Sequence, residues 1–156
     1  MTIVAIDPGP VQSAWIICEC GKGRIQKILG FGYDDNSEVN PVVMAIAPKA
    51  RLCVEMVASY GMAVGADIFE TCVQIGMFIE QWRTWGDSNI NPRCFRKDIK
   101  LHICGQMRAK DANVSQALRD KYGGKGTKAN PGMLFGISKH IWAALAVADY
   151  AASFSR

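Results

Sequence analysis

The sequence predicts an α/β fold: a mixed five-stranded sheet flanked by helices. Two observations predict it. Three short strand-like runs follow one another at the start of the chain, and strand-like and helix-like segments alternate after them. Strands joined by a tight turn pair antiparallel, whereas strands separated by helices pair parallel, so one sheet is expected to hold both kinds. The composition permits such a core. Of 156 residues, 49% are hydrophobic and 21% charged, which matches an ordinary globular chain and excludes a disordered one. One domain over residues 1–156 is expected.

The elements follow in order. Thr2 to Ile6 is an apolar run that meets the turn Asp7-Pro8-Gly9-Pro10, as a buried strand does at its end. Ser13 to Cys18 is a second strand, and Gly21-Lys22-Gly23 turns the chain into a third, Arg24 to Gly32. Asp34 to Ser37 reads as a polar turn. Asn40-Pro41 reads as a helix start with proline at the first helical position, and Pro48 as the helix stop. Arg51 to Val57 is an apolar strand containing one acid, Glu55. Asp67-Ile68-Phe69-Glu70 resembles a capping box and opens a helix to Trp85. Ser88 to Cys94 is a weaker strand. Arg96 to Cys104 is a helix stopped by Gly105, and Ala109 to Tyr122 a helix closed by Gly123-Gly124. Lys125 to Gly136 is a loop, and Ser138 is the expected cap of a last helix through Ile141, Leu145 and Ala148.

Charge is unevenly spread. The net charge is +4, but Arg93 to Lys128 holds ten Lys/Arg and three Asp, a local +7, and the remainder carries −3. An acidic body with one basic segment points to a polyanion partner, although solvated helix faces would give the same count. The six cysteines, Cys18, Cys20, Cys53, Cys72, Cys94 and Cys104, show no zinc spacing. They read as buried thiols in a reducing compartment. No apolar run is long enough to span a membrane, and no signal peptide is expected at Met1–Asp7.

Three residues stand out chemically. Asp7 ends a buried strand at the edge where α/β sheets hold ligands, although it could simply cap the turn. Glu55 lies inside Leu-Cys-Val-Glu-Met-Val. A carboxylate there must be paired, hydrogen-bonded or metal-bound, unless it faces solvent. His140 is expected in the first turn of the last helix, beside the same sheet edge. Asp149 is nine residues further on, which places it on the opposite helix face. Asp67 and Glu70 have a structural explanation at a helix start. Two carboxylates from adjacent strands with an imidazole form a donor set for Mg²⁺ or Mn²⁺. The long helix carries Phe69, Met77, Phe78, Trp82 and Trp85, more than one inner face needs, so it is the expected surface of a homodimer.

The ordered set Ala5-Ile6-Asp7-Pro8-Gly9-Pro10, Ser13-Ala14-Trp15, Val54-Glu55, Arg96-Lys97-Asp98-Ile99-Lys100 through Lys110-Asp111, and His140 to Ala148 resembles RuvC-type Holliday junction resolvases. The match spans nearly the whole chain, and Val54 to Met62 is most similar to short phage or prophage members. The resemblance implies a ribonuclease H-like fold, a homodimer, and Mg²⁺- or Mn²⁺-dependent cleavage of four-way and other branched DNA in the cytoplasm of a bacterial or phage-infected cell. It matches Asp7, Glu55 and His140 to metal ligands, and Lys110, with Lys100, to basic residues near the scissile phosphate. Arg96, Lys97, Arg108, Lys125, Lys128 and Tyr60 join Lys100 and Lys110 as expected DNA contacts. One departure is serious: Ala143 stands where many members carry a further Asp. The same fold binding branched DNA without cutting it is therefore the rival reading. A sugar kinase or actin-like ATPase, whose phosphate loops also start Ile-Asp-x-Gly, would need a second domain.

Overall fold

The computed structural model describes residues 1–45, 49–85 and 90–154. The chain forms β1 (Thr2–Asp7), β2 (Gln12–Gly21), β3 (Arg24–Asp35), α1 (Asn36–Met44), β4 (Ala50–Met56), α2 (Ala66–Trp85), β5 (Ile90–Phe95), α3 (Arg96–Cys104), α4 (Asp111–Tyr122) and α5 (Ile141–Ala152). The five strands make one sheet in the order β3-β2-β1-β4-β5. β1, β2 and β3 pair antiparallel, and β1–β4 and β4–β5 pair parallel. This is the mixed sheet the sequence predicts.

Strand alternation divides the core into two. In β1, Ile3 and Ala5 face α5 while Val4 and Ile6 face α2. One core fills the space under α3, α4 and α5, with Leu118, Leu134, Ile137 and Leu145 fully buried. The other packs Ile75, Phe78 and Trp82 of α2 and Val39 of α1 against Val4, Leu52 and Val54. A central strand buried on both faces must be apolar throughout, and Ile3 to Ile6 is. The β2–β3 hairpin turns through Lys22 and Gly23, both at positive φ (53° and 71°), as a two-residue turn between twisted strands requires.

Several expectations are corrected. β3 continues to Asp35, and α1 begins at Asn36, so Asp34–Ser37 is not a turn and Pro41 lies inside the helix. Long-range bonds override the local proline signal. Trp15 Nε1 donates to Asp34 Oδ2 at 2.7 Å, and Asn36 is buried in bonds to Ser13 and Gly9. Pro48 and the start of the Ser88–Cys94 run fall outside the described residues. α4 begins at Asp111 with Lys110 as its N-cap, and α5 at Ile141 with His140 as its N-cap; Ser138 does not cap it with its side chain. α2 starts at Ala66, one residue before the expected acid. Phe78 and Trp82 are buried on its inner face rather than offered outward, because the sheet has a second face to cover. Phe69, Val73 and Met77 point outward, and the Trp85 side chain lies outside the described set. Cys72 is exposed; Cys18, Cys20, Cys53 and Cys94 are buried, and all are free thiols. No described helix is long and apolar enough to cross a membrane.

Candidate active site

The carboxyl ends of β1 and β4 carry the first two acids. Ile6 is aligned with Val54, so the next residues, Asp7 and Glu55, stand side by side. Alternation puts both on the face of Ala5 and Cys53, toward α5. The turn behind Asp7 is fixed by a ring of bonds. The Gly9 N–H donates to Ser13 Oγ (3.2 Å), Ser13 Oγ donates to Asn36 Oδ1 (2.6 Å), and Asn36 Nδ2 donates to the Gly9 carbonyl (3.1 Å). Position 9 has no room for a side chain: a Cβ would meet the Gln12 carbonyl oxygen at 2.4 Å.

Burial dominates the electrostatics of the pair. It raises the Asp7 pKa to about 6, against the opposing pull of Arg96 and with a further push from Asp111. It raises Glu55 to about 7, again opposed by Arg96 and reinforced by Asp7. Arg96 Nη1 sits between the two oxygens of Glu55, 3.3 Å from Oε1 and 3.1 Å from Oε2. Its Nη2 lies 3.0 Å from Asp111 Oδ2, and Lys100 Nζ is 3.0 Å from Asp111 Oδ1. Against partial burial, which works the other way, Lys100 and Arg96 hold Asp111 below the usual carboxylate range.

His140 reaches the site from the other side. Its ring stacks on Tyr33, with centroids 4.5 Å apart and planes 20° from parallel. Together with Asp7, Gln12 and the Pro8–Val11 turn, the two rings line one cavity. Lys139, at φ 43°, makes the turn that sets His140 ahead of α5. A second cleft runs from Glu55, Arg96 and Lys100 under the loop carrying Tyr60, Met62 and Val64. A third, enclosed by α3, α4 and α5, is lined by Arg96, Lys100, Asp111, Trp142 and Ala143.

The expected basic residues divide into two groups. Arg96 and Lys100 are paired with acids inside the site rather than presented outward. Lys97, Arg108, Lys110, Lys125 and Lys128 are exposed, and Lys110 precedes Asp111 directly. Lys125 lies 5.7 Å from the Trp142 ring and Arg119 lies 4.7 Å from it, a cationic and aromatic patch beside the third cleft. Tyr60 is exposed on the rim of the second. Sequence reasoning missed the Ser13–Asn36 brace and the Tyr33 stack. It also missed the Arg96–Asp111 pair, whose only local sign was a basic and an acidic residue at two helix starts.

Among the described residues, no three His, Cys, Asp or Glu side chains converge closely enough to hold a metal ion by themselves. The donor chemistry of the Asp7–Glu55 pair nonetheless fits a hard divalent ion: two adjacent carboxylates, desolvated and mutually repelling, at the ligand edge of a sheet. Arg96 supplies the positive charge they face in this structure.

No family model matches the chain, and no curated protein matches it in sequence. Solved structures do. Thermus thermophilus RuvC superposes with a TM-score of 0.72 at 18% identity, over 99% of this chain and 95% of that one. This is the RuvC fold. A second T. thermophilus RuvC structure, in complex with Holliday junction substrate, superposes at 0.70 with 15% identity, over 99% of this chain and 94% of that one. The expected RuvC-like, ribonuclease H-like architecture is thus present from end to end. At the third cleft α5 contributes Ala143 and Ala146 but no acid, and Asp111 enters from α4.

Proposed function

We propose that this protein is a metal-dependent endonuclease that cuts four-way DNA junctions, and other branched DNA, by paired nicks from a homodimer. The observation that carries the reading is the adjacency of Asp7 and Glu55 on one face of two parallel strands, within a RuvC fold. Asp7 and Glu55 would hold Mg²⁺ or Mn²⁺, with His140 completing the shell from the Asp7 cavity. When bound, such ions lower the pKa of an attacking water and stabilise the leaving 3′ oxygen. Burial of Asp7 and Glu55 restricts competing water. The Gly9–Ser13–Asn36 brace keeps the Asp7 carboxylate in one place.

The exposed Lys97, Arg108, Lys110, Lys125 and Lys128 would bind phosphates, and Tyr60 would stack on bases at the branch. The dimer would form through the outward stripe of α2, where Phe69 is 61%, Val73 59% and Met77 46% exposed. One stripe pairing with its own copy gives the two-fold symmetry that a junction also has.

The second reading, a branched-DNA binder with weak or lost catalysis, is favoured by Ala143 and by the hold of Arg96 on Glu55. Incubating a labelled four-way junction with Mg²⁺ or Mn²⁺ and wild-type protein or Asp7→Asn separates the two. Cutting by the wild type alone supports the nuclease. Binding without cutting by either supports the binder, and equal cutting by both excludes Asp7 from the chemistry.

A further inference from the structure

Arg96 is the first residue of α3 and follows directly on β5, whose last residue, Phe95, is aligned with Met56 of β4. Chain geometry therefore delivers a guanidinium to the same sheet edge as Glu55. Two different nitrogens serve two different acids. Nη1 holds Glu55, which is 13% exposed, and Nη2 holds Asp111, which is 68% exposed. Lys100 fixes the other oxygen of Asp111. Two acids, Glu55 and Asp111, thus share one guanidinium, Asp7 feels its charge without touching it, and Asp7 and Glu55 are largely shielded from solvent.

Arg96 Nη1 set between both Glu55 oxygens and a divalent ion bound to Glu55 compete for the same lone pairs and repel each other, so each weakens the other. The Asp111 contact does not conflict with an ion between Asp7 and Glu55. Arg96 and Asp111 already line the cleft enclosed by α3, α4 and α5, with Trp142, Ala143 and Ala146 opposite. The small Ala143 side chain leaves that space open next to Arg96.

We propose that Arg96 is a positioning residue that gates the acidic pair: its guanidinium fills the cation place on Glu55, and a divalent ion enters as Arg96 releases Glu55 while Asp111 retains it at the cleft enclosed by α3, α4 and α5. The inference rests on the metal-binding reading above. It assigns Asp111 a part that no ligand role requires, as the anchor of the displaced arginine. It also gives Ala143 a meaning other than a lost ligand, since the residue leaves room for that displacement.

Calorimetric titration of the full chain with Mn²⁺ tests this. Arg96→Gln removes the competitor, and the expected result is affinity about tenfold tighter than wild type, the scale of one partly buried ion pair. Arg96→Lys, which keeps the charge but loses the guanidinium, tightens binding by a smaller factor and serves if the glutamine variant folds poorly. Asp111→Asn weakens binding severalfold, because Arg96 falls back wholly on Glu55. In the Arg96→Gln background, Asp111→Asn has no further effect. Equal or weaker affinity in both Arg96 variants overturns the gate while leaving the metal reading intact. A loss on Asp111→Asn that persists without Arg96 makes Asp111 a ligand and also overturns it. No Mn²⁺ binding by any variant overturns the metal reading and the gate with it.

Discussion

The Tyr122 hydroxyl donates to the carboxylate of Asp149, a residue only 1% exposed. Lys121 Nζ lies 2.7 Å from the same oxygen, and His102 Nε2 is 3.5 Å from the other. This cluster ties α3, α4 and α5 together six residues along α5 from Ala143. Asp149 is therefore a structural acid, and removing it leaves three polar partners unmatched. Asp149→Ala is expected to destabilise the protein by about 3 kcal/mol or more, the cost of orphaning a buried charge pair. Chemical denaturation reads the loss, and Mn²⁺ affinity measured below the transition stays unchanged. A loss of affinity without a loss of stability would make Asp149 a ligand.

The raised pKa values of Asp7 and Glu55 set a pH dependence of opposite sign to that of an ordinary salt-bridged acid. Unfolded carboxylates titrate near about 4. In the folded protein these two hold their protons to about 6 and 7. Between those limits the folded state binds more protons than the unfolded, so stability falls as pH rises. Metal-free protein in chelator is expected to lose stability from pH 4 to 7 through these groups. Denaturation midpoints across that range check it: Asp7→Asn and Glu55→Gln each flatten the slope, and a slope unchanged in both variants defeats the assignment.

The outward stripe of α2 is expected to hold the dimer. Phe69→Glu and Met77→Glu place charges on it without entering the core, which Ile75, Phe78 and Trp82 fill from the other side of the helix. Light scattering should give the dimer mass for wild type and the monomer mass for the double variant, with thermal stability otherwise retained. A wild-type monomer at micromolar concentration disposes of the surface.

Junction affinity should fall steeply with salt. Each of Lys125 and Lys128, changed to Ala, is expected to lower the slope of log K against log salt by about 0.9. Slopes from binding isotherms at several salt concentrations decide whether these exposed lysines meet phosphate.

Much of this site was legible in the chain. Asp7 and Glu55 stood out because one ends an apolar strand and the other interrupts one, and alternation is a local rule that places both on one face. Asp149 could be set aside by helix periodicity alone. The start of α1 was misread because Pro41 is a local signal, whereas the bonds of Asn36 to Ser13 and Gly9 come from another strand and its turn. Phe78 and Trp82 were counted as surplus because sequence does not say that a sheet has two covered faces. The hold of Arg96 on Glu55 spans 41 residues and depends on β5 lying beside β4, so no local pattern reports it.

Apart from Lys100, which lies within α3, the charged groups of the site sit where a regular element begins or ends: Asp7 closing β1, Arg96 opening α3, Asp111 opening α4 and His140 just before α5, with Glu55 one residue inside the end of β4. The apolar interior contributes none of them. The reactive edge can therefore diverge by single exchanges at chain reversals while the packing beneath stays fixed. An alanine can replace an acid on one helix and an acid can arrive on another, with no layer of the protein having to be rebuilt. A scaffold divided in this way keeps the residues that set its chemistry apart from the residues that set its shape.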